Sequence, residues 1–340
     1  MAKAVKMADI AEMMNVSVVT VSKALSGQKG VSEEVREKII KLANEMGYRQ
    51  PSALKLAKNR KSYNIGVLVS DRFLDKYKSF YWEMYQEVAQ KALQKDCFTM
   101  LEVLEADDEK ALILPKLLQE EKVDGMIVIG LLNEDYLEML SNIVKTPLLY
   151  LDFYDKRHKC DAIITDNYYG MYKLTSYLFD MGHTQIAYVG TLLCTGSITD
   201  RYFGYAKALL EHGQKTREDW IVGDRDPVTG RSDLGFELKL PEEMPTAFVC
   251  NCDLCASQLI KKLEEKGYRV PEDISVVGFD NYLYPGLCNV EITTYEVDMK
   301  EMARKSINNL VRKISGEYYK KGITIVEGHL VPKNSVKRKE

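Results

Sequence analysis

Two periodicities divide this chain of 340 residues. Near the start, apolar positions recur every three or four places, the spacing of helices with one buried face. Ile10, Ala11 and Met14 share one such face, and Val21 and Leu25 share another. The chain between them reads as a tight turn, with Ser17 placed to cap the second helix through its hydroxyl. A third helix follows, with Ser32 as cap and Glu33, Glu34 and Glu37 at its positive end. Val35, Ile39, Leu42 and Met46 form its buried stripe, and Gly47 ends it. From residue 64 the pattern changes. Short apolar runs at 65–69, 98–104, 125–129, 148–151, 162–165, 186–189, 247–250 and 274–279 predict strands. Amphipathic stretches at 81–95, 109–121, 167–181, 201–211, 253–266 and 299–315 predict helices between them. The expected fold class is a small all-α helix-turn-helix headpiece followed by an α/β core of doubly wound parallel sheets.

On the second helix Val18, Val19, Ser22, Lys23 and Ser26 are left facing outward. Small, apolar or hydroxylated residues with one long cation suit a helix that enters the DNA major groove. Lys23 is expected to reach guanine O6/N7 or a phosphate, and Val18 and Val19 to touch thymine methyls or base edges. Ser17, Thr20, Ser22 and Ser26 are candidate phosphate contacts that fix register. The net charge of −3 argues against nucleic acid, but its distribution reverses that reading. Residues 1–63 carry twelve Lys or Arg against six Asp or Glu, a net of +6, which leaves −9 on the remainder. A basic head on an acidic body points to a DNA-binding end, although charge alone also fits a solvated basic surface. One headpiece offers too little surface for high specificity, so a homodimer on near-palindromic double-stranded operator DNA is expected.

Composition narrows the remaining classes. A hydrophobic content of 46% with 29% charged residues is ordinary for a soluble globular protein. No apolar run is long enough for a membrane span, and Met-Ala-Lys-Ala-Val-Lys does not begin a signal peptide. Seven scattered cysteines fit a reducing cytoplasm, the expected location. Cys250, Cys252 and Cys255 are close in sequence, but no second Cys pair accompanies them, and His158, His183, His212 and His329 are far apart. Small buried cysteines are the better reading than a metal site. No P-loop, GxGxxG, GxSxG or HExxH motif occurs, so neither an enzyme nor a cofactor is expected.

Ligands of open α/β sheets bind beyond the carboxyl ends of the strands. The polar residues there are Ser70, Asp71, Asp152, Asp166, Asn167, Asn251, Asp280 and Asn281, with Arg201 just after a further strand-end loop. Arg201 can fork two hydrogen bonds to neighbouring hydroxyls, Asp166 and Asp280 can accept, and Asn251 can do both. That inventory suits a sugar. Each residue has a plainer alternative: Asp166 as a helix cap, Arg201 and Asp280 as a structural ion pair, Phe80 and Tyr81 as core-facing residues. A solute-binding receptor would suit the core, but the fused headpiece argues against it. A sugar-processing enzyme has the carboxylates Asp166 and Asp280 without a nucleophile motif.

The headpiece resembles that of the lactose-repressor (LacI/GalR) family in Asp9-Ile10-Ala11, Val16-Ser17, Thr20-Val21-Ser22-Lys23-Ala24-Leu25, Val31-Ser32, Val35-Arg36 and Gly47-Tyr48. The resemblance continues through Ile65-Gly66-Val67, Val123-Asp124-Gly125, Asp166-Asn167, Gly182-His183, Arg201-Tyr202-Phe203-Gly204-Tyr205, Asn251, Val276-Val277-Gly278-Phe279-Asp280 and Thr293-Thr294. It implies a headpiece over 1–49, a hinge helix or linker over 50–63 and an effector-binding core over 64–340. That core resembles type I periplasmic binding proteins, with an N-subdomain at about 64–163 and 295–325 and a C-subdomain at about 164–294 and 326–340. Family members wedge a hinge leucine into the minor groove, and Leu56 is the matching position. Leu54 is the alternative, because Tyr48-Arg49-Gln50-Pro51-Ser52 departs from the family's Tyr-x-Pro-Asn. By resemblance Arg201, Asn251 and Asp280 bind effector, then Asp166. Thr195 and Ser197 fall where members place polar contacts, and Phe80 and Tyr81 where members place aromatic or small ones. Arg225 stands after Gly223-Asp224 where the family often has an aromatic, so a stacking platform is missing or Arg225 meets a charged group. No leucine heptads occur in 331–340, so the tetramer-forming tail of some members is not expected. The expected function is a repressor of carbohydrate-metabolism genes, switched allosterically by a sugar-like effector in the cleft. A non-sugar ligand or a protein corepressor is the alternative.

Overall fold

The structure, a computed structural model, describes residues 5–25, 28–46, 48, 62–74, 79–157, 160–227, 230, 237–283 and 285–340. Ser26, Gly47, Leu54, Leu56 and the expected hinge helix lie outside the described residues. The chain divides into two compact units, Met1–Lys61 and Ser62–Glu340.

In the first unit α1 (Met7–Met13), α2 (Val18–Leu25) and α3 (Glu33–Glu45) close around Ile10, Ala11, Val21, Ala24, Ile39 and Ala43. The turn between α1 and α2 reverses through Asn15 at φ 49°, a left-handed conformation that asparagine tolerates. The Ser17 hydroxyl then accepts from the Thr20 amide at 3.1 Å, capping α2. Ser32 precedes α3 in extended conformation but makes no side-chain cap, contrary to expectation. That first turn is exposed, so its amides face water and need no protein acceptor. The far end of α2 is tied by Arg36, whose guanidinium donates to the carbonyls of Ala24 at 3.0 Å and Gln28 at 2.8 Å. A cation over exposed carbonyls at a helix C-terminus complements the helix dipole.

In the second unit, apolar runs form β1 (Asn64–Ser70), β2 (Phe98–Leu104), β3 (Gly125–Ile129), β4 (Leu148–Leu151) and β5 (Asp161–Thr165), all buried but the partly exposed edge strand β2. With β11 (Ile323–Val326) they make a parallel six-stranded sheet in the order β11-β5-β4-β3-β1-β2. A second parallel sheet, ordered β7-β6-β8-β9, comprises Ile221–Val222, Ile186–Val189, Ala247–Cys250 and Ser275–Val277. Strands buried on both faces need no alternation, which is why they read as near-continuous apolar runs. The helices that cover them include α4 (Phe80–Leu93), α8 (Asn167–Asp180), α9 (Gly196–Glu211), α10 (Asp253–Glu265) and α11 (Met299–Ser315). Between α4 and α8 lie α5 (Ala106–Lys110), α6 (Lys116–Gln119) and α7 (Glu134–Ile143). The chain passes between the sheets three times: after β5, at β10 (Thr294–Glu296) and between β11 and β12 (His329–Val331). β10 and β12 pair antiparallel. Beyond β12 the chain stays with the second sheet, where the Val276 amide donates to the Ser335 carbonyl at 2.9 Å.

The expected helix at 109–121 is broken into α5 and α6. Leu112 takes φ 55°, Pro115 precedes α6, and the Glu102 carboxylate accepts from the Lys116 and Leu117 amides at 2.7 and 2.9 Å. The proline and the borrowed cap start a new helix where periodicity alone suggested continuation. Conversely α9 begins at Gly196, five residues before the predicted start, so Thr195, Ser197 and Arg201 share one element.

Candidate ligand cleft and recognition helix

A cavity of about 200 Å³ opens at the carboxyl ends of both sheets. Each enclosed water needs at least about 10–15 Å³ on this measure, so there is room for a ligand of roughly a dozen heavy atoms or more. Phe80 and Tyr81, in the first turn of α4, contribute from the first sheet, as does Asp152 just past β4. Thr195, Ser197 and Arg201 contribute from α9, Asn251 from the end of β8 and Asp280 from beyond β9. Seven of the eight expected effector residues are therefore brought together.

Arg201 lies at the centre. Its Nε donates to Asn167 Oδ1 at 2.8 Å, Nη1 to the Asn251 carbonyl, and Nη2 pairs with Asp280 Oδ1 at 3.3 Å. Its guanidinium carbon lies 3.8 Å from the centre of the Phe279 ring. The arginine is therefore both a structural ion pair and part of the cavity wall. Asp280, at φ 103°, is half-buried against it, and desolvation pushes its carboxyl up to about 7 despite Arg201.

Asn251 donates to the Val189 carbonyl at 3.0 Å and to Asp224 Oδ2 at 2.9 Å, and accepts from Arg225 Nη2 at 3.2 Å. Arg225 also reaches Asp224 with Nε at 3.0 Å and Nη2 at 2.7 Å. The arginine lines the cavity while Asp224 neutralises it from behind. Thr195 caps α9 by accepting from the Ile198 amide at 3.2 Å, and its hydroxyl meets that of Ser197 at 2.9 Å. Its capping role and its place in the wall coincide.

An aromatic wall faces these polar groups. The Phe80 and Tyr81 rings pack edge to face at 5.4 Å, and Tyr282 stands 6.2 Å from Phe80. Sequence reasoning missed Tyr282, which no periodicity marks; it placed Asp152 at the cleft as a polar residue ending an apolar run but did not choose it as an effector contact. Asp152 is buried at φ 67° and accepts from the Tyr81 hydroxyl at 3.0 Å. Burial raises its carboxyl to about 6, against the nearby Arg201 charge and the Tyr81 hydrogen bond.

Asp166 is the exception. It does not line the main cavity and does not cap α8 with its side chain. Its carboxylate instead accepts from the Tyr295 hydroxyl at 2.8 Å and the Gly328 amide at 3.2 Å. The reason is topological: all three crossings between the sheets pass this point, and the carboxylate turns to the two neighbouring strands rather than to the cleft.

On α2, Val18 and Val19 are 45% and 61% exposed, a cost without a partner surface to cover them. Lys23 is exposed and Ser22 half-buried beside them. The Ser17 and Thr20 hydroxyls bond each other at 2.8 Å, so either can present the remaining lone pair or proton outward. Cys250 and Cys255 are buried, and Cys252 caps α10 by accepting from the Cys255 amide at 3.4 Å.

Residues 6–51 match the model of bacterial regulatory proteins of the lacI family, and residues 175–336 that of a periplasmic binding protein-like domain. The HTH-type transcriptional repressor PurR of Aliivibrio salmonicida is 27% identical over 96% of this chain and 98% of its own. PurR of Vibrio atlanticus is 28% identical over 97% and 98%. Among solved structures, the lac repressor dimer bound to operator and the anti-inducer ONPF has a TM-score of 0.65 at 22% identity, covering 98% of this chain and 100% of that one. A complex of the transcriptional regulator CelR with cellobiose has a TM-score of 0.69 at 21% identity, covering 97% and 99%. A LacI-family regulator from Enterococcus faecium with bound ribose has 0.66 at 21%, covering 82% and 100%. At these identities the structural likeness is one of fold.

Proposed function

Because this chain belongs to the LacI/GalR family and is a DNA-binding transcriptional repressor of that type, we propose that a small carbohydrate in the cleft between its two sheets switches it. The observation that carries the reading is the Arg201–Asp280 pair at the cavity wall, opposite the rings of Phe80 and Tyr81. A fixed guanidinium donates to sugar oxygens while a carboxylate accepts from hydroxyls. An aromatic face covers the apolar C–H side of a pyranose ring.

The headpiece reads a near-palindromic operator as a homodimer, α2 lying in the major groove. Val18, Val19 and Lys23 face the base edges, and Ser17, Thr20 and Ser22 the phosphates. Ligand and DNA are coupled because closing the cleft moves one sheet against the other, so each changes the other's affinity by one factor.

The test is thermal unfolding of the full chain against mono- and oligosaccharides, sugar phosphates and purines. A ligand at 100 times its Kd adds about 2.7 kcal/mol of stability. The expected result is a saccharide hit abolished by both Arg201→Ala and Asp280→Ala. A hit from another chemical class, or one indifferent to both substitutions, sinks the carbohydrate reading.

A further inference from the structure

Among the described residues, the charges that face the cavity do not balance. Arg72 pairs with the buried Glu109 at 3.3 Å, Arg225 with Asp224 at 2.7 Å and Arg201 with Asp280 at 3.3 Å. Each of these three arginines thus has its own carboxylate. Asp152 is left over. Its Oδ2 accepts a hydrogen bond from the neutral Tyr81 hydroxyl, and its Oδ1 is buried with no hydrogen-bond partner among the described residues. A buried carboxylate with one orphaned oxygen is costly, and the cost is removed by a proton or by a cationic donor. The φ of 67° at Asp152 adds backbone strain at the same residue, of the kind retained at ligand sites.

We propose that the effector is an amino sugar whose protonated amine is received by Asp152. The proposal rests on the carbohydrate reading of this cleft. Arg201 and Asp280 fork to the ring oxygens and hydroxyls, and Phe80 and Tyr81 cover the apolar face. Asp152 then supplies what a neutral sugar would not need, an uncompensated negative charge at the wall. The groups nearest Asp152 are the Tyr81 hydroxyl from α4, Arg201 from α9 and Asp280 from beyond β9. Tyr81 stays neutral, its hydroxyl pushed well above its usual range by burial, and Arg201 is already engaged by Asp280.

The experiment is isothermal titration of the full chain at pH 6 and pH 8. The probes are glucosamine, galactosamine and mannosamine, their neutral parent hexoses, and the N-acetyl derivatives in which the amine is no longer basic. At least one amine is expected to bind about tenfold or more tighter than both its parent and its N-acetyl form, the worth of one charge-assisted hydrogen bond. Asp152→Asn should reduce it to the level of its parent. At pH 6, heats in buffers of different ionisation enthalpy should reveal proton release with the amine and none with the parent, because the arriving cation ionises Asp152. This second readout needs no variant. If neutral hexoses bind as tightly as the amines, or are the ones that bind, the amino-sugar inference is overturned while the carbohydrate reading stands. If no saccharide of any kind binds, both fall.

Discussion

Asp152 and Asp280 hold φ angles of 67° and 103°, and both carboxyls sit at the cleft with their proton affinity raised by burial, to about 6 and about 7. Unfolded, each would titrate near the ordinary value of 3.8. Between that pH and their folded values the native state binds more protons than the unfolded chain, so their contribution to stability falls as pH rises through about 4 to 7. His183 opposes them: burial lowers its value below 6.5, so it costs stability as the pH falls through that point. Subtracting wild type from Asp152→Asn cancels the histidine. The variant should match wild type near pH 4.5 and melt higher at pH 8, by a few °C at about 2–4 °C per kcal/mol. A difference in melting temperature that is flat across this range would show that Asp152 carries no such penalty. At the other end of the chain, Lys23→Ala should cost about 1–3 kcal/mol of discrimination at one base position. Unchanged operator preference in a binding-site selection would remove Lys23 from base reading. Arg201 was legible as a cleft residue because it follows a strand-end loop, where the carboxyl ends of parallel strands open. Tyr282 was not, because an aromatic in an irregular loop has no periodic neighbours to show which way it points.

Helix α9 carries the cap Thr195, the wall residue Ser197 and the central Arg201 within one rigid segment, so its position against α8 sets the cleft. That position depends on Gly204. A Cβ there would lie 2.1 Å from the Tyr168 carbonyl oxygen, a backbone atom that cannot turn aside. Gly204→Ala should therefore push the two helices apart and cost about 1–3 kcal/mol, the usual range for overpacking. It should also weaken the effector found in the thermal screen. Chemical denaturation and titration of the same variant check both, and a neutral effect on stability would mean that α9 is free to shift. Most helices and strands were legible because amphipathic stripes and buried runs carry their own period. The failures were one whole helix, α7, the short strands β7, β10, β11 and β12, and several boundaries. The break at Leu112 depends on Glu102, a residue on another strand whose carboxylate starts α6, and no window confined to 109–121 contains that information.

The two sheets of the core share three crossings, and Asp166 binds the other two from the first, through the Tyr295 hydroxyl and the Gly328 amide. The crossings are also close-packed: a Cβ on Gly328 would meet the Glu296 carbonyl oxygen at 2.1 Å. On the proposed reading, in which one sheet turns against the other, these crossings are where the turn must pass; the clasp lies outside the cavity, so it can act on the switch without touching ligand. Such an element biases an equilibrium between two arrangements, and its loss changes the coupling between sites rather than either site's own contacts. Asp166→Ala frees the Tyr295 hydroxyl and the Gly328 amide at once, whereas Asp166→Asn keeps one acceptor. With the effector in hand, operator affinity measured by fluorescence anisotropy with and without it gives the coupling factor. In wild type this should fall within the range of about 5–150-fold found for allosteric pairs. Asp166→Ala should change that factor, and Asp166→Asn should change it less. Linkage demands that effector affinity, measured with and without operator, shift by the identical ratio in every variant. A folded Asp166→Ala protein with the wild-type coupling factor would show that the clasp merely holds the crossings together, and that the turning axis lies elsewhere among the crossing strands.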